Sequence, residues 1–282
     1  MPSGDPVPAI AEADATGETA DLYADIRATL GVPLVNLIWR NLAAIPSGLA
    51  WAWPSVKPLY EAGLIQGEAR ALRDGQRLPG VPRLPVEALR AVGIDAAAEC
   101  TIRDILESYD RGNPLNIIAL SALLAALRKE APDGRPDITS SGTDKPLDVT
   151  LPSLIALDAM PDDTAALVRA VNGLGARGRD HIIVSMPRHL AHWPGYLSLY
   201  WALIAPLDAS GDLGRCIDAV LADGRARGVR LAGALAEQRQ PPDESRAAVE
   251  ATLDDFCRNA ISRMIPVVSL LKRAMPPAGL PD

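Results

Sequence analysis

One stretch of this chain is written twice. Residues Arg188 to Pro206 read Arg-His-Leu-Ala-His-Trp-Pro-Gly-Tyr-Leu-Ser-Leu-Tyr-Trp-Ala-Leu-Ile-Ala-Pro, and a diverged copy runs from Arg40 to Pro58. At a constant offset of 148 positions, Arg40 matches Arg188, Leu42 matches Leu190, Ala43 matches Ala191 and Pro46 matches Pro194. Leu49 with Leu197, Trp53 with Trp201, Pro58 with Pro206 and Leu59 with Leu207 complete eight identities in about twenty aligned positions. A weaker likeness pairs Thr19-Ala-Asp-Leu22 through Gly31 with Thr164-Ala-Ala-Leu167 through Gly175. An internal repeat restricts the fold to two similar units, read here as about 15 to 128 and 149 to 275. The segment 129 to 148, rich in Pro, Gly, Ser, Thr and Asp and without apolar period, is the linker between them.

The two copies also hold eight of the eleven aromatic residues: Trp39, Trp51, Trp53 and Tyr60 in or beside the first, Trp193, Tyr196, Tyr200 and Trp201 in the second. Large aromatic side chains dominate burial, so both copies are expected to be central core helices or the walls of a cavity between them. Elsewhere the apolar spacing is helical, as in Leu22, Ile26 and Leu30 before Gly31-Val32-Pro33. Further helices are expected at about 66 to 76, 96 to 110, 114 to 128, 161 to 174, 184 to 192, 194 to 208 and 212 to 226, and at 244 to 273 with an interruption at Pro266. Gly112-Asn113-Pro114 reads locally as a helix end followed by an asparagine N-cap and an N1 proline. Period-two runs are short throughout, and no strand is predicted. The fold class is therefore all-α, two helical repeats facing each other about a pseudo-twofold axis. Residues 1 to about 14, with three prolines and no period, are expected to form a loosely docked arm.

The formal charge of −7 argues against a nucleic-acid or anionic-membrane surface. There is no apolar run of membrane-spanning length and no secretory pattern, so a cytoplasmic protein is expected. Cys100, Cys216 and Cys257 are widely spaced, suggest neither a disulfide framework nor a zinc site, and read as small buried hydrophobes.

The candidates for chemistry lie around the second copy. All three histidines, His181, His189 and His192, fall within twelve residues. His189 and His192 would be neighbours on a helix, either as an acid-base or metal pair or as helix-end residues. No third ligand of defined spacing accompanies them, so no metal site is assigned. Arg40 and Arg188, retained in both copies on apolar helices, each call for a fixed partner; the structural reading is an ion pair or a bond to helix carbonyls, and carboxylate binding is the other. Ser185 reads as an N-cap, since no glycine elbow surrounds it to make it a nucleophile.

With these residues in view, the chain resembles the group I 2-haloacid dehalogenases, the non-stereoselective, all-helical type. The likeness is carried by Leu22-Tyr-Ala-Asp-Ile-Arg-Ala-Thr-Leu-Gly-Val-Pro33, by Tyr109-Asp-Arg-Gly-Asn-Pro114, and by Ser185 to Pro194 with its Leu-Ala-His-Trp-Pro end. The resemblance implies a homodimer and a cofactor-free site for a small organic acid. In such a site an aspartate activates a water that displaces halide from the α-carbon, and an asparagine positions that water. The asparagine falls on Asn113 and a pocket serine on Ser185, while the aspartate falls on Met186. Aromatic pocket positions of the family fall on Leu34 and Leu37. Methionine cannot take a proton, so hydrolysis would require another base, for which His189, His192 or Asp110 are poor substitutes. The alternative is a cavity that binds without turning over, or an assembly role on the same fold.

Overall fold

The computed structural model describes residues 7–131, 140, 142, 144–179, 181–235, 241 and 243–277, and no strand occurs among them. The helices are α1 (Gly17–Leu30), α2 (Leu37–Ala43), α3 (Gly48–Glu61), α4 (Leu64–Asp74), α5 (Val86–Ala91), α6 (Ala96–Arg128), α7 (Asp162–Gly173), α8 (Ser185–Leu190), α9 (Pro194–Ala209), α10 (Asp212–Ala232), α11 (Asp243–Asp255) and α12 (Ser262–Ala274). A π-helical segment, Phe256–Ile261, joins the last two.

Everything is arranged around α6. Its start is fixed by Asp95, whose carboxylate accepts from the Ala98 N–H at 2.7 Å, satisfying one of the orphan donors of the first turn. Every residue from Gly112 to Ala125 is buried, as a helix that is apolar on all sides must be. Helices α4, α10, α11 and α12 pack around it. α10 comes closest because it presents glycine: a Cβ on Gly228 would stand 2.3 Å from the Ser121 Cβ and 2.9 Å from the Ile118 carbonyl oxygen.

Two expected helix breaks are absent. Gly112-Asn113-Pro114 lies inside one continuous helix of 33 residues. Pro114 cannot donate to the Asp110 carbonyl, but burial on all sides outweighs that local signal. Gly112 serves close approach instead, since a Cβ there would lie 3.3 Å from the Asn36 side chain. Helix α12 likewise runs through Pro266, and the irregularity falls earlier, at the π segment. Helix α5 was not expected from the sequence.

The N-terminal arm is firmly docked over its described part. Ile10 donates its N–H to the Arg40 carbonyl and accepts from the Tyr23 hydroxyl, and Glu12 accepts from the Val35 N–H and pairs with Arg27 at 2.5 Å. Residues 1–6 lie outside the described residues, as does most of the expected linker between 132 and 143.

Helix α3 packs on α1, α2 and α4, and α9 on α7, α8 and α10. The expectation that both copies are central core helices or cavity walls holds at Trp53, which is buried edge-on against Trp39 with ring centroids 5.5 Å apart. It is corrected at Trp201, which is 47% exposed on the outer face of α9. Of the cysteines, Cys216 and Cys257 are buried but Cys100 is exposed.

Candidate functional site

Two cavities meet near the middle of α6. The inner one, about 40 Å³, has room for about three waters. Its walls come from the start of α2 (Asn36, Leu37, Ile38), one face of α6, the start of α8 (Ser185, Met186) and the π segment (Phe256, Ala260, Ile261). Tyr109, Asn113 and Asn116 reach it together because their spacing of four and three residues stacks them on one helix face. The π segment supplies the opposite wall, and such insertions recur at functional sites because they re-aim side chains.

The entry to α8 is held by Asn172. Its side chain accepts from the Val184 N–H at 3.1 Å and donates to the Ile182 carbonyl at 3.2 Å, and Arg263 bonds the Asn172 backbone and side-chain oxygens. Ser185 is the first residue of the helix and not its N-cap, a position taken by Val184. Met186, fully buried, lines the inner cavity together with Asn113.

The outer cavity, about 340 Å³, lies between the N-terminal arm and residues 151–154, and shares Tyr109 and Ser185 with the inner one. Arg40, Arg188 and His189 also line it. Two polar contacts mark the partition. Arg40 donates to the Ser185 Oγ at 3.5 Å, and the Tyr109 hydroxyl and His189 Nδ1 share a hydrogen bond of 2.8 Å. Burial pushes the Tyr109 phenol above its ordinary range, so it stays protonated. Burial, with the nearby charges of Arg188, His192 and Arg40, lowers His189 to about 3, so the ring is neutral at physiological pH.

Of the residues expected at the pocket, Asn113, Ser185, Leu37 and Met186 line the inner cavity, and Leu34 and His189 only the outer one. His192 lines neither; it lies just past the end of α8 and bonds the Ser153 carbonyl at 2.9 Å. His181 pairs with Asp255 at the surface. Asp110 lines neither cavity, being tied to Lys272 at 2.6 Å and to Ser269 at 3.2 Å. Arg40 and Arg188 donate to the carbonyls of Val35 and Ile155, which lie in connecting segments and not in helices. Missed from sequence were Asn36 and Asn116; the available signal was a polar residue inside the apolar run Pro114-Leu-Asn-Ile-Ile-Ala-Leu. Among the described residues no cluster of ligating side chains could hold a metal, and no helix is long and apolar enough to cross a membrane.

The architecture is that of the D-2-haloacid dehalogenases. One solved structure, a D-2-haloacid dehalogenase mutant, superposes with a TM-score of 0.77 at 17% identity, covering 95% of both chains. Another, the complex of D-2-haloacid dehalogenase with L-LA, gives 0.77 over 95% of this chain and 96% of that one. In sequence, the relatives are 2-haloacid dehalogenases. The chain is 29% identical over 205 residues to a configuration-inverting 2-haloacid dehalogenase of Alcaligenes xylosoxydans xylosoxydans, a match covering 68% of this chain and 66% of the relative. It is 28% identical over 200 residues to the configuration-inverting enzyme of Pseudomonas sp. (strain 113), covering 68% and 64%, and 25% identical over 206 residues to the (R)-2-haloacid dehalogenase of Rhizobium sp. (strain NHG3), covering 70% and 77%. The chain thus spans just under two thirds of the first two relatives' length. No protein-family model matches it.

Proposed function

We propose that this chain binds a small carboxylic acid in the inner cavity and releases little or no halide from 2-haloacids. The similarity to 2-haloacid dehalogenases supports the ligand class. One observation carries the rest of the reading: Met186 is buried in the cavity wall, and no carboxylate, imidazole, ammonium or guanidinium is among the lining residues. Displacing halide with water requires a group that takes a proton as the new C–O bond forms, and positioned bases contribute on the order of 10² to 10⁴ in rate. A thioether cannot do this. Tyr109 is neutral, while His189 lies outside the inner cavity with its Nδ1 engaged by that same phenol. Asn113 is left to orient a ligand without activating water.

Calorimetric titration with 2-chloropropionate, combined with a chloride electrode on the same sample, tests the reading. Saturable binding without chloride release above the buffer rate is expected. No binding of any short carboxylic acid would remove the proposal. Titrating the two enantiomers separately addresses selectivity; the proposal takes over from the resemblance a cavity that accepts both.

The homodimer is part of the same proposal, supported by the apolar outer face of α9 around the half-exposed Trp201. Light scattering at micromolar concentration should return twice the chain mass of 29.8 kDa; the single mass would exclude it.

A further inference from the structure

We infer that Asn116 and Asn113 form a paired amide station for the ligand's carboxylate, with Trp39 as the positioning residue; the inference rests on the acid-binding reading above. The Trp39 indole N–H bonds the Asn116 side chain at 2.9 Å. An indole nitrogen can only donate, so that bond must end on the amide oxygen, and it fixes which end of Asn116 is left over. The remaining Nδ2 is buried and has no partner, and the same is true of the Asn113 Nδ2. Both residues line the inner cavity, one turn apart on α6, with Asn116 fully buried.

Buried amide donors are rarely left unsatisfied, because each gives up its hydration without compensation. Two of them in one cavity wall mark the place of an acceptor. A carboxylate offers two oxygens, one for each amide, and its charge makes both bonds stronger than bonds to a neutral acceptor. The charge of Arg40, which stands behind Ser185 at 3.5 Å, favours an anion as well; the rest of the wall is apolar except at Tyr109 and at Asn36, whose buried Oδ1 also has no partner. The positioning is rigid, since Trp39 is itself fully buried and packed edge-on against Trp53. A halide is the rival occupant of two N–H donors.

The test is calorimetric titration of propionate and of 2-chloropropionate into the unaltered protein, Asn116→Leu, Asn116→Asp and Trp39→Phe, at mildly alkaline pH. Asn116→Asp keeps an acceptor for Trp39, so the local packing survives while the donor is lost; Asn116→Leu removes both without adding charge. Both should weaken the two acids alike, by roughly 10- to 100-fold, and Trp39→Phe should weaken them less and in the same direction. Undiminished binding by both Asn116 variants would overturn the inference. So would a loss confined to 2-chloropropionate, which would place the halide between the amides. If the unaltered protein binds neither acid, the acid-binding reading itself fails and this inference falls with it; if it binds both and only the variants behave unexpectedly, that reading stands.

Discussion

The Tyr109 hydroxyl and His189 Nδ1 share a hydrogen bond of 2.8 Å, across 80 positions of sequence and at the partition between the two cavities. This bond joins α6 to α8 and ties the imidazole to the phenol. The most obvious basic side chain near the site is therefore part of the wall.

A consequence in pH follows. His189 is held near 3 in the fold against an ordinary value of 6.5, because burial disfavours its charged form. Between those values the unfolded chain binds the extra proton, so stability falls as the solution is acidified from about pH 6.5 toward about 3. The loss attributable to this residue should reach about 2 kcal/mol by pH 5. Urea denaturation across that range should give a flatter profile for His189→Gln than for the unaltered protein. Parallel profiles would show that the ring is not desolvated as described.

The approach of α10 to α6 yields a second prediction. Gly228→Ala forces a methyl group against the backbone at Ala122 and Ile118, where no flexible side chain can yield. Overpacking of this kind typically costs about 1–3 kcal/mol. Gly173, at the end of α7, has nothing within 4 Å of a built Cβ. Gly173→Ala should be neutral or slightly stabilising, and equal denaturation midpoints for the two variants would contradict the packing account.

Asp110 is a buried carboxylate that lies outside both cavities. It is buried against Lys272 and Ser269, and although burial opposes it, Asp110 and Glu107 hold the Lys272 ammonium above its ordinary range. Asp110→Asn removes this charge while Glu107 still pairs with Lys272, which is one-third exposed and partly screened. A loss of about 1–2 kcal/mol in stability is expected, with acid binding unchanged. Weakened binding in a folded Asp110→Asn variant would mean that the carboxylate acts on the site.

The fold class was readable because apolar period and helix stops are local signals, and α1, α4, α7 and α9 fall where those signals put them. Gly112-Asn113-Pro114 misled because glycine and proline mark breaks only when the surroundings leave the choice open; in the most buried helix they did not. Matched residues in the two similar stretches likewise did not ensure matched burial, since Trp53 faces the core and Trp201 faces outward. The site was legible where a resemblance supplied positions, at Asn113, Ser185 and Met186. Asn36 and the Tyr109–His189 bond arise from contacts between distant segments, which no spacing encodes, whereas Asn116 was signalled as a polar residue in an apolar run three positions after Asn113. His192 went astray for a local reason: α8 ends at Leu190, before a second histidine can share its face.

Chloride release from 2-chloropropionate by the unaltered protein and by Met186→Asp is the most direct test of the account. A new carboxylate at position 186 would face the same cavity as Asn113 and restore a proton acceptor, at some expense in stability for a buried charge. The unaltered protein should release no chloride above the buffer rate, and Met186→Asp should release it at a rate at least on the order of 10² higher than the unaltered protein. Efficient release by the unaltered protein, lost when His189 or Tyr109 is replaced, would show that the wall described here is the catalytic base after all.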